Sequence, residues 1–132
     1  MVNPNLWGPH GWKFIHYTAL GYPINPSLQQ KNNYKFFFTN LQNILPCKLC
    51  QDHFSKNIRD LPIDNYLESR DTLFKWTVDI HNQTNREYNK KIYTYDEAFN
   101  LYTKNYYERF DYIYAFIIIL LLIIILYYLY NK

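Results

Sequence analysis

Ser27-Leu28-Gln29-Gln30, running on to Leu45-Pro46-Cys47-Lys48-Leu49-Cys50, is the stretch whose reading decides the fold. Ser27 with Gln30 three residues on is a capping-box start, in which each side chain satisfies a backbone N–H that the helix end leaves unpaired. Behind it, Tyr34, Phe37, Phe38, Leu41 and Leu45 recur at three- and four-residue spacing, as one inward helix face requires. Pro46 ends that helix, and the two cysteines open a short third one that continues toward Arg59.

The same grammar extends in both directions. A first helix is expected from about Asn5 to Gly21, stopped by Gly21 and Pro23. Leu61-Pro62-Ile63-Asp64-Asn65 reads as a loop, and a fourth helix carries Leu73, Trp76, Ile80 and Thr84 on one face. Thr94 and Glu97 form a second capping box before a fifth helix through Ala98, Leu101 and Tyr102. Few stretches alternate with the period of a strand. The expected class is all-α: a four-helix bundle with a short fifth helix. So small a bundle has a marginal core, and the 20% aromatic content of the chain exceeds what packing needs. Some of those rings are candidates for the walls of a planar ligand's site.

Composition then divides the chain. From Tyr112 to Tyr130 run 19 residues without a charge, nearly all Ile, Leu or Tyr. At about 1.5 Å per residue such a helix spans roughly 28 Å, close to the hydrocarbon core of a bilayer. Tyr112 and Tyr114 stand at one end and Tyr127, Tyr128 and Tyr130 at the other, where interfacial tyrosines belong. A buried core helix would carry a polar stripe, and this one carries none. The expected division is therefore a helical domain over 1–111, a transmembrane helix over 112–130 and a tail of 131–132. The start, Met1-Val2-Asn3-Pro4-Asn5, lacks the basic patch and apolar run of a signal peptide, so the domain is expected on the cytoplasmic side. The flanking charges Lys104, Glu108, Arg109 and Asp111 are mixed and add little to that orientation. The net charge of +3 is scattered, which argues against nucleic acid as a partner.

Chemistry concentrates at Pro46-Cys47-Lys48-Leu49-Cys50. Cys47 and Cys50 are the only 2 cysteines, and their spacing at a helix start puts both on one face within bridging reach. Helix N–H groups and positive partial charge stabilise a thiolate there, and Lys48 adds a cation. Lowering a thiol pKa by two units costs about tenfold in nucleophilicity, so the net gain as attacker is only about two- to three-fold. The larger gain is as a leaving group, which suits repeated reduction and reoxidation. A structural disulfide across so short a loop would contribute little stability. A zinc site would use Cys47, Cys50 and His53, with His16 or His81 as a fourth ligand, but no second paired-ligand knuckle is present. A thioredoxin-like domain is disfavoured, because its CxxC follows a strand.

Three further segments bear on where the electrons go. Trp7-Gly8-Pro9-His10-Gly11-Trp12 leads to His16 and Tyr22-Pro23; the cysteine pair leads to His53-Phe54; Trp76 precedes His81-Asn82-Gln83-Thr84-Asn85 and Lys90. In this order and spacing the chain resembles the Erv/ALR family of FAD-linked sulfhydryl oxidases, over about Leu6 to Tyr102. The resemblance implies noncovalent FAD, with Gly8, Trp12, His16 and Tyr22 along the cofactor. It also implies contacts from His53 and from His81, Asn82, Asn85 and Lys90. It implies Cys47 as the sulfur attacked by a partner thiolate and Cys50 as the flavin-proximal one, with electrons passing to oxygen to give hydrogen peroxide. It further implies a homodimer, and a thiol-bearing protein substrate such as a thioredoxin-like relay protein. Small members of this kind resemble those of large cytoplasmic DNA viruses, so a virion membrane is one expected location. Asn82-Gln83-Thr84 is also a glycosylation sequon, but the resemblance buries Asn82 at the cofactor.

Departures are equally legible. Pro9 stands where many members carry Arg, and Thr84 replaces a Val. The structural disulfide that members often carry would fall at Val78 and Tyr95, and no shuttle pair exists outside the core. Two rival functions remain at this point: a flavin-free membrane-anchored disulfide carrier, and a zinc-stabilised adaptor without catalysis.

Overall fold

The computed structural model describes residues 2–131, with the side chains of 105–111 left aside. The flanking charges Glu108, Arg109 and Asp111 therefore lie outside the described side chains. Among the described residues five α-helices follow one another: α1 (Pro4–Leu20), α2 (Leu28–Ile44), α3 (Lys48–Asp60), α4 (Arg70–Glu87) and α5 (Tyr95–Tyr130). A 3₁₀ turn at Ile63–Tyr66 joins α3 to α4.

Each helix start has a local cause. Ser27 Oγ accepts the Gln30 N–H at 3.2 Å while the Gln30 side chain accepts the Ser27 N–H at 2.8 Å, the reciprocal box expected there. Thr94 and Glu97 do the same at α5, at 3.2 and 2.9 Å. A third box at Ser69 and Thr72 opens α4. Its third residue is Thr rather than Glu or Gln, which hid it from the usual pattern. Asn3 caps α1 through the Asn5 N–H, and Cys47 caps α3.

Residues 1–98 form one compact unit. Within it α1 packs on α4, α2 on α3, and α3 on α4. Trp76 is the centre: it is 1% exposed, its ring meets Phe38 edge-on at 5.4 Å, and its Nε1–H donates to the Leu61 carbonyl at 2.8 Å. Leu73, Ile80, Val78, Ala19 and Phe54 are further buried residues of the core. The segment read as a loop at Leu61–Asn65 instead turns helical from Ile63, because Ile63 and Leu67 plug the core at 2% and 5% exposure.

The fifth helix is the largest difference from expectation. It is not a short element before a separate span, but the first part of one 36-residue helix. Between Tyr95 and Tyr130 the sequence has neither Gly nor Pro to interrupt it. Residues 99–132 form the second unit. Its stretch Tyr112–Tyr130 is long and apolar enough to cross a membrane, and none of it is buried against other residues.

Where relatives are expected to carry a structural disulfide, this chain uses other bonds. Val78 is 2% exposed in the apolar core. Tyr95 donates its hydroxyl to the Asp79 carboxylate at 2.9 and 3.0 Å, tying the start of α5 to α4. Burial, with that hydrogen bond and the Asp79 charge, pushes the Tyr95 phenol up to about 12.

Candidate functional site

Cys47 and Cys50 are joined as a disulfide, with Cα atoms 5.1 Å apart. The sulfur of Cys47 caps α3 by accepting the Cys50 N–H at 3.2 Å, so the helix terminus acts on this sulfur most directly. The preceding turn is held by Gln51, whose amide donates to the Leu45 carbonyl at 2.8 Å. Cys47 is only 4% exposed, whereas Cys50 is half-buried. Lys48 contributes less than its position implied, because its ammonium pairs with Asp52 at 2.8 Å on the exposed side.

His53 lies one turn beyond Cys50 on α3. Its Nδ1 is 3.0 Å from a Glu87 carboxylate oxygen and 3.5 Å from the Tyr88 hydroxyl, both at the end of α4. The zinc alternative asked His53 to join the two sulfurs. Here the sulfurs bond each other and His53 faces Glu87, and no cluster of three or more His, Cys, Asp or Glu occurs among the described residues.

Between α1 and α4 lies an aromatic cluster. Trp12 stacks on His81 with ring centroids 4.1 Å apart and planes 8° from parallel. His16 Nε2 meets His81 Nδ1 at 3.0 Å, and His16 Nδ1 meets Thr77 Oγ1 at 2.9 Å. Burial lowers His16 to about 3, with His81 adding to the effect. It lowers His81 to about 4, with Lys90 as the second cause. Both imidazoles are therefore neutral at pH 7. Phe74 closes one side, its ring 5.8 Å from that of His16.

Gly8 lies one turn before Trp12, and a Cβ built there meets nothing within 4 Å. The indole N–H of Trp7 beside it is buried without a partner, as are the side-chain oxygens of Asn57 and Gln83. The stacked Trp12 and His81 rings, with the open backbone at Gly8 and the unpartnered Trp7 indole N–H on the same helix as Trp12, suit a planar, polar cofactor such as FAD.

Asn82 and Asn85 do something the motif did not announce. Asn82 makes a two-point clasp on one backbone residue, donating to the Tyr93 carbonyl at 2.8 Å and accepting the Tyr93 N–H at 3.0 Å. Asn85 donates to the Lys91 carbonyl at 3.0 Å, and its own carbonyl accepts the Lys90 N–H at 2.8 Å. Together they hold the 88–94 loop, which turns through Asn89 at φ 51° and carries Lys90. The Lys90 ammonium sits 5.8 Å from the centre of the Tyr88 ring.

Tyr22 follows α1. It is 0% exposed, its hydroxyl donates to the Leu67 carbonyl at 3.0 Å, and its carbonyl accepts from Arg70 Nε at 2.6 Å. It is buried in the core and anchors the end of α1. The structure thus brings Trp12, His16 and His81 together and groups His53 near the cysteines. Asn82 and Asn85 serve the loop. Thr77 and Glu87 were missed. Thr77 did leave a signal, as a hydroxyl four residues before His81 on the face that carries Leu73 and Ile80.

Comparison with known proteins bears on this arrangement. The Erv1 / Alr family model matches residues 9–108. The chain is 44% identical over 98 residues to a protein of Acanthamoeba polyphaga mimivirus named "Probable FAD-linked sulfhydryl oxidase", covering 74% of this chain and 68% of that one. It is 35% identical over 83 residues to the mitochondrial FAD-linked sulfhydryl oxidase ERV1 of Saccharomyces cerevisiae, covering 63% of this chain but only 43% of the yeast protein. The crystal structure of the FAD binding domain of Erv1 from the same yeast superposes with a TM-score of 0.69 at 30% identity, over 79% of this chain and 93% of that one. This chain belongs to the Erv1/Alr family.

Proposed function

We propose that this chain is an FAD-linked thiol oxidase that makes disulfides in a partner protein. The observation that carries the proposal is the Cys47–Cys50 disulfide, placed at the start of α3 in a domain whose relatives are named for this activity. A partner thiolate attacks Cys47; the Cys47–Cys50 bond breaks as the new sulfur–sulfur bond forms, and Cys50 leaves as thiolate. A second partner thiolate then displaces Cys47, so the partner gains a disulfide and this pair holds two electrons. Bound FAD supplies the two-electron acceptor that restores the pair, with oxygen as terminal acceptor and hydrogen peroxide as product.

The chain's own residues supply position and charge. The helix terminus at Cys47 stabilises the thiolate form and makes that sulfur a good leaving group when the partner is resolved. The half-buried Cys50 is proposed to be covered by the flavin ring. Trp12 and His81 are proposed to stack against the cofactor, with Gly8, His16, His53 and Lys90 around it. Asn82 and Asn85 act through the loop that presents Lys90.

Membrane attachment through Tyr112–Tyr130 is supported by the length and composition of that segment. A cytoplasmic, reducing side for the domain is supported by the replacement of the expected structural disulfide with the Tyr95–Asp79 bond. A viral setting, and with it a virion membrane, is supported by the mimivirus relative. A homodimer is supported by Leu6, Phe14 and Phe36, exposed at 70%, 61% and 71% on α1 and α2. The flavin-free carrier is the second reading, favoured only by the self-sufficient disulfide chemistry of the pair.

The test is trapping. Cys50→Ser should capture a partner thiol as a stable mixed disulfide on Cys47, identifiable by mass spectrometry. Capture by Cys47→Ser instead, with none by Cys50→Ser, would reverse the order of attack.

A further inference from the structure

We propose that Thr77 is a positioning residue that fixes where the protons sit on the His16–His81 pair, so that His81 presents a bare Nε2 to an N–H donor on a planar ligand ring. The proton positions stand on the hydrogen-bond geometry and the burial of the pair, and only the identity of the ligand rests on the FAD reading.

The Phe74 carbonyl can only accept. The Thr77 hydroxyl has one proton, and its oxygen lies 2.7 Å from the Phe74 carbonyl one turn back on α4. A hydroxyl in mid-helix commonly commits its proton to such a carbonyl. Its oxygen is then left to accept from His16 Nδ1 at 2.9 Å, so His16 carries its proton on Nδ1. A neutral imidazole has one N–H, so His16 Nε2 holds a lone pair. That lone pair faces His81 Nδ1 at 3.0 Å, so His81 must also carry its proton on Nδ1. Donation runs from His81 to His16 to Thr77 to the Phe74 carbonyl, and it leaves Nε2 of His81 as an acceptor.

The surroundings keep the chain of bonds intact. His16 and Thr77 are 1% and 0% exposed. Trp12 covers one face of His81, Phe74 lies beside His16, and Lys90 is the cation that bears on His81. Both imidazoles are held neutral by burial, with His81 adding to the effect at His16 and Lys90 at His81. The ligand chemistry follows. An unprotonated nitrogen beside a stacked indole accepts from an N–H at the edge of an aromatic ring. FAD offers that group twice, as the amino group of adenine and as the imide N–H of the flavin.

The experiment is ¹⁵N NMR of the full-length chain in detergent, which has only 4 histidines. At pH 7.5 the parent should show protonated Nδ1 and bare Nε2 on both His16 and His81, the less common tautomer of histidine in water. Thr77→Ser should keep this pattern. Thr77→Val, nearly the same shape, should return His81 to the Nε2–H form and weaken FAD binding by about tenfold, one hydrogen bond's worth. Exchanging FAD for FMN or ADP identifies the ring, since only the ligand that carries the donor will shift the His81 Nε2 resonance. If neither shifts it, the ligand half of the proposal is wrong. An Nε2 proton on His81 in the parent overturns the proposal by itself, whether or not Thr77→Val folds. So does a Thr77→Val spectrum unchanged at both histidines. A chain with the expected tautomers but no flavin overturns the cofactor reading and leaves the proton assignment standing.

Discussion

Acidification from pH 7.5 to pH 5 should destabilise this protein through His16 and His81. Both have folded-state values below the ordinary 6.5, at about 3 and about 4. Between those values and 6.5 the unfolded chain binds protons that the folded one refuses. Stability is therefore complete above 6.5 and falls as the pH drops through that window. At pH 5 each histidine forfeits about 2 kcal/mol, so the pair approaches about 4 kcal/mol, a large part of the total stability of a small domain. Asp79, whose carboxyl burial raises, works in the opposite sense and makes the measured loss smaller. The assay is urea unfolding followed by tryptophan fluorescence at fixed FAD concentration, because a bound ligand adds its own stabilisation. The comparison is His16→Gln, whose amide can still donate to Thr77 and accept from His81 but does not titrate. It should lose about 2 kcal/mol less than the parent over the same pH interval. Equal losses in the two proteins would refute the claim that burial of this pair sets the acid sensitivity.

Three other outcomes follow from particular contacts. Asn82→Ala removes both bonds that hold Tyr93 and should cost about 2–3 kcal/mol in unfolding free energy, with hydrogen exchange accelerated across 88–94. Tyr95→Phe removes the bond to Asp79 and leaves its carboxylate underpaired; a loss of about 1–2 kcal/mol is expected by denaturant unfolding, and no loss would deny the bond its bridging role. Deleting 112–132 should release the protein from membranes in a flotation assay while leaving its rate with dithiothreitol unchanged, and a lost rate would give the helix a part beyond attachment.

Much of this architecture is legible in the sequence. The boxes at Ser27 and Thr94 and the inward spacing of Leu73, Trp76 and Ile80 are local signals, and the helices start and pack where those signals stand. The cysteine pair was equally plain, since its chemistry depends on two positions and a helix start. What escaped depends on distance in the chain. The clasp of Asn82 on Tyr93 spans eleven residues, and the contact of His16 with Thr77 spans sixty-one. No spacing rule reaches across such gaps. Tyr22 illustrates the same limit from the other side. A tyrosine after a helix stop looks available to a ligand, but Leu67 and Arg70, which arrive from α4 and the turn before it, bury it and take up its polar groups.

The continuity of α5 has a different origin. Composition marks the change from mixed to wholly apolar sequence near Tyr112, but a change in polarity does not break a helix. Only Gly, Pro or a competing cap would, and none intervenes.

The central claim is that Cys47 and Cys50 pass electrons from thiols to a bound flavin. Its most direct test is anaerobic addition of dithiothreitol to the purified full-length chain, followed by its absorption near 450 nm. The account predicts a yellow protein that bleaches with dithiothreitol and recovers on admission of air, and a Cys47→Ser, Cys50→Ser protein that is equally yellow but does not bleach. A colourless folded protein, or bleaching at the parent rate without the cysteines, would contradict it.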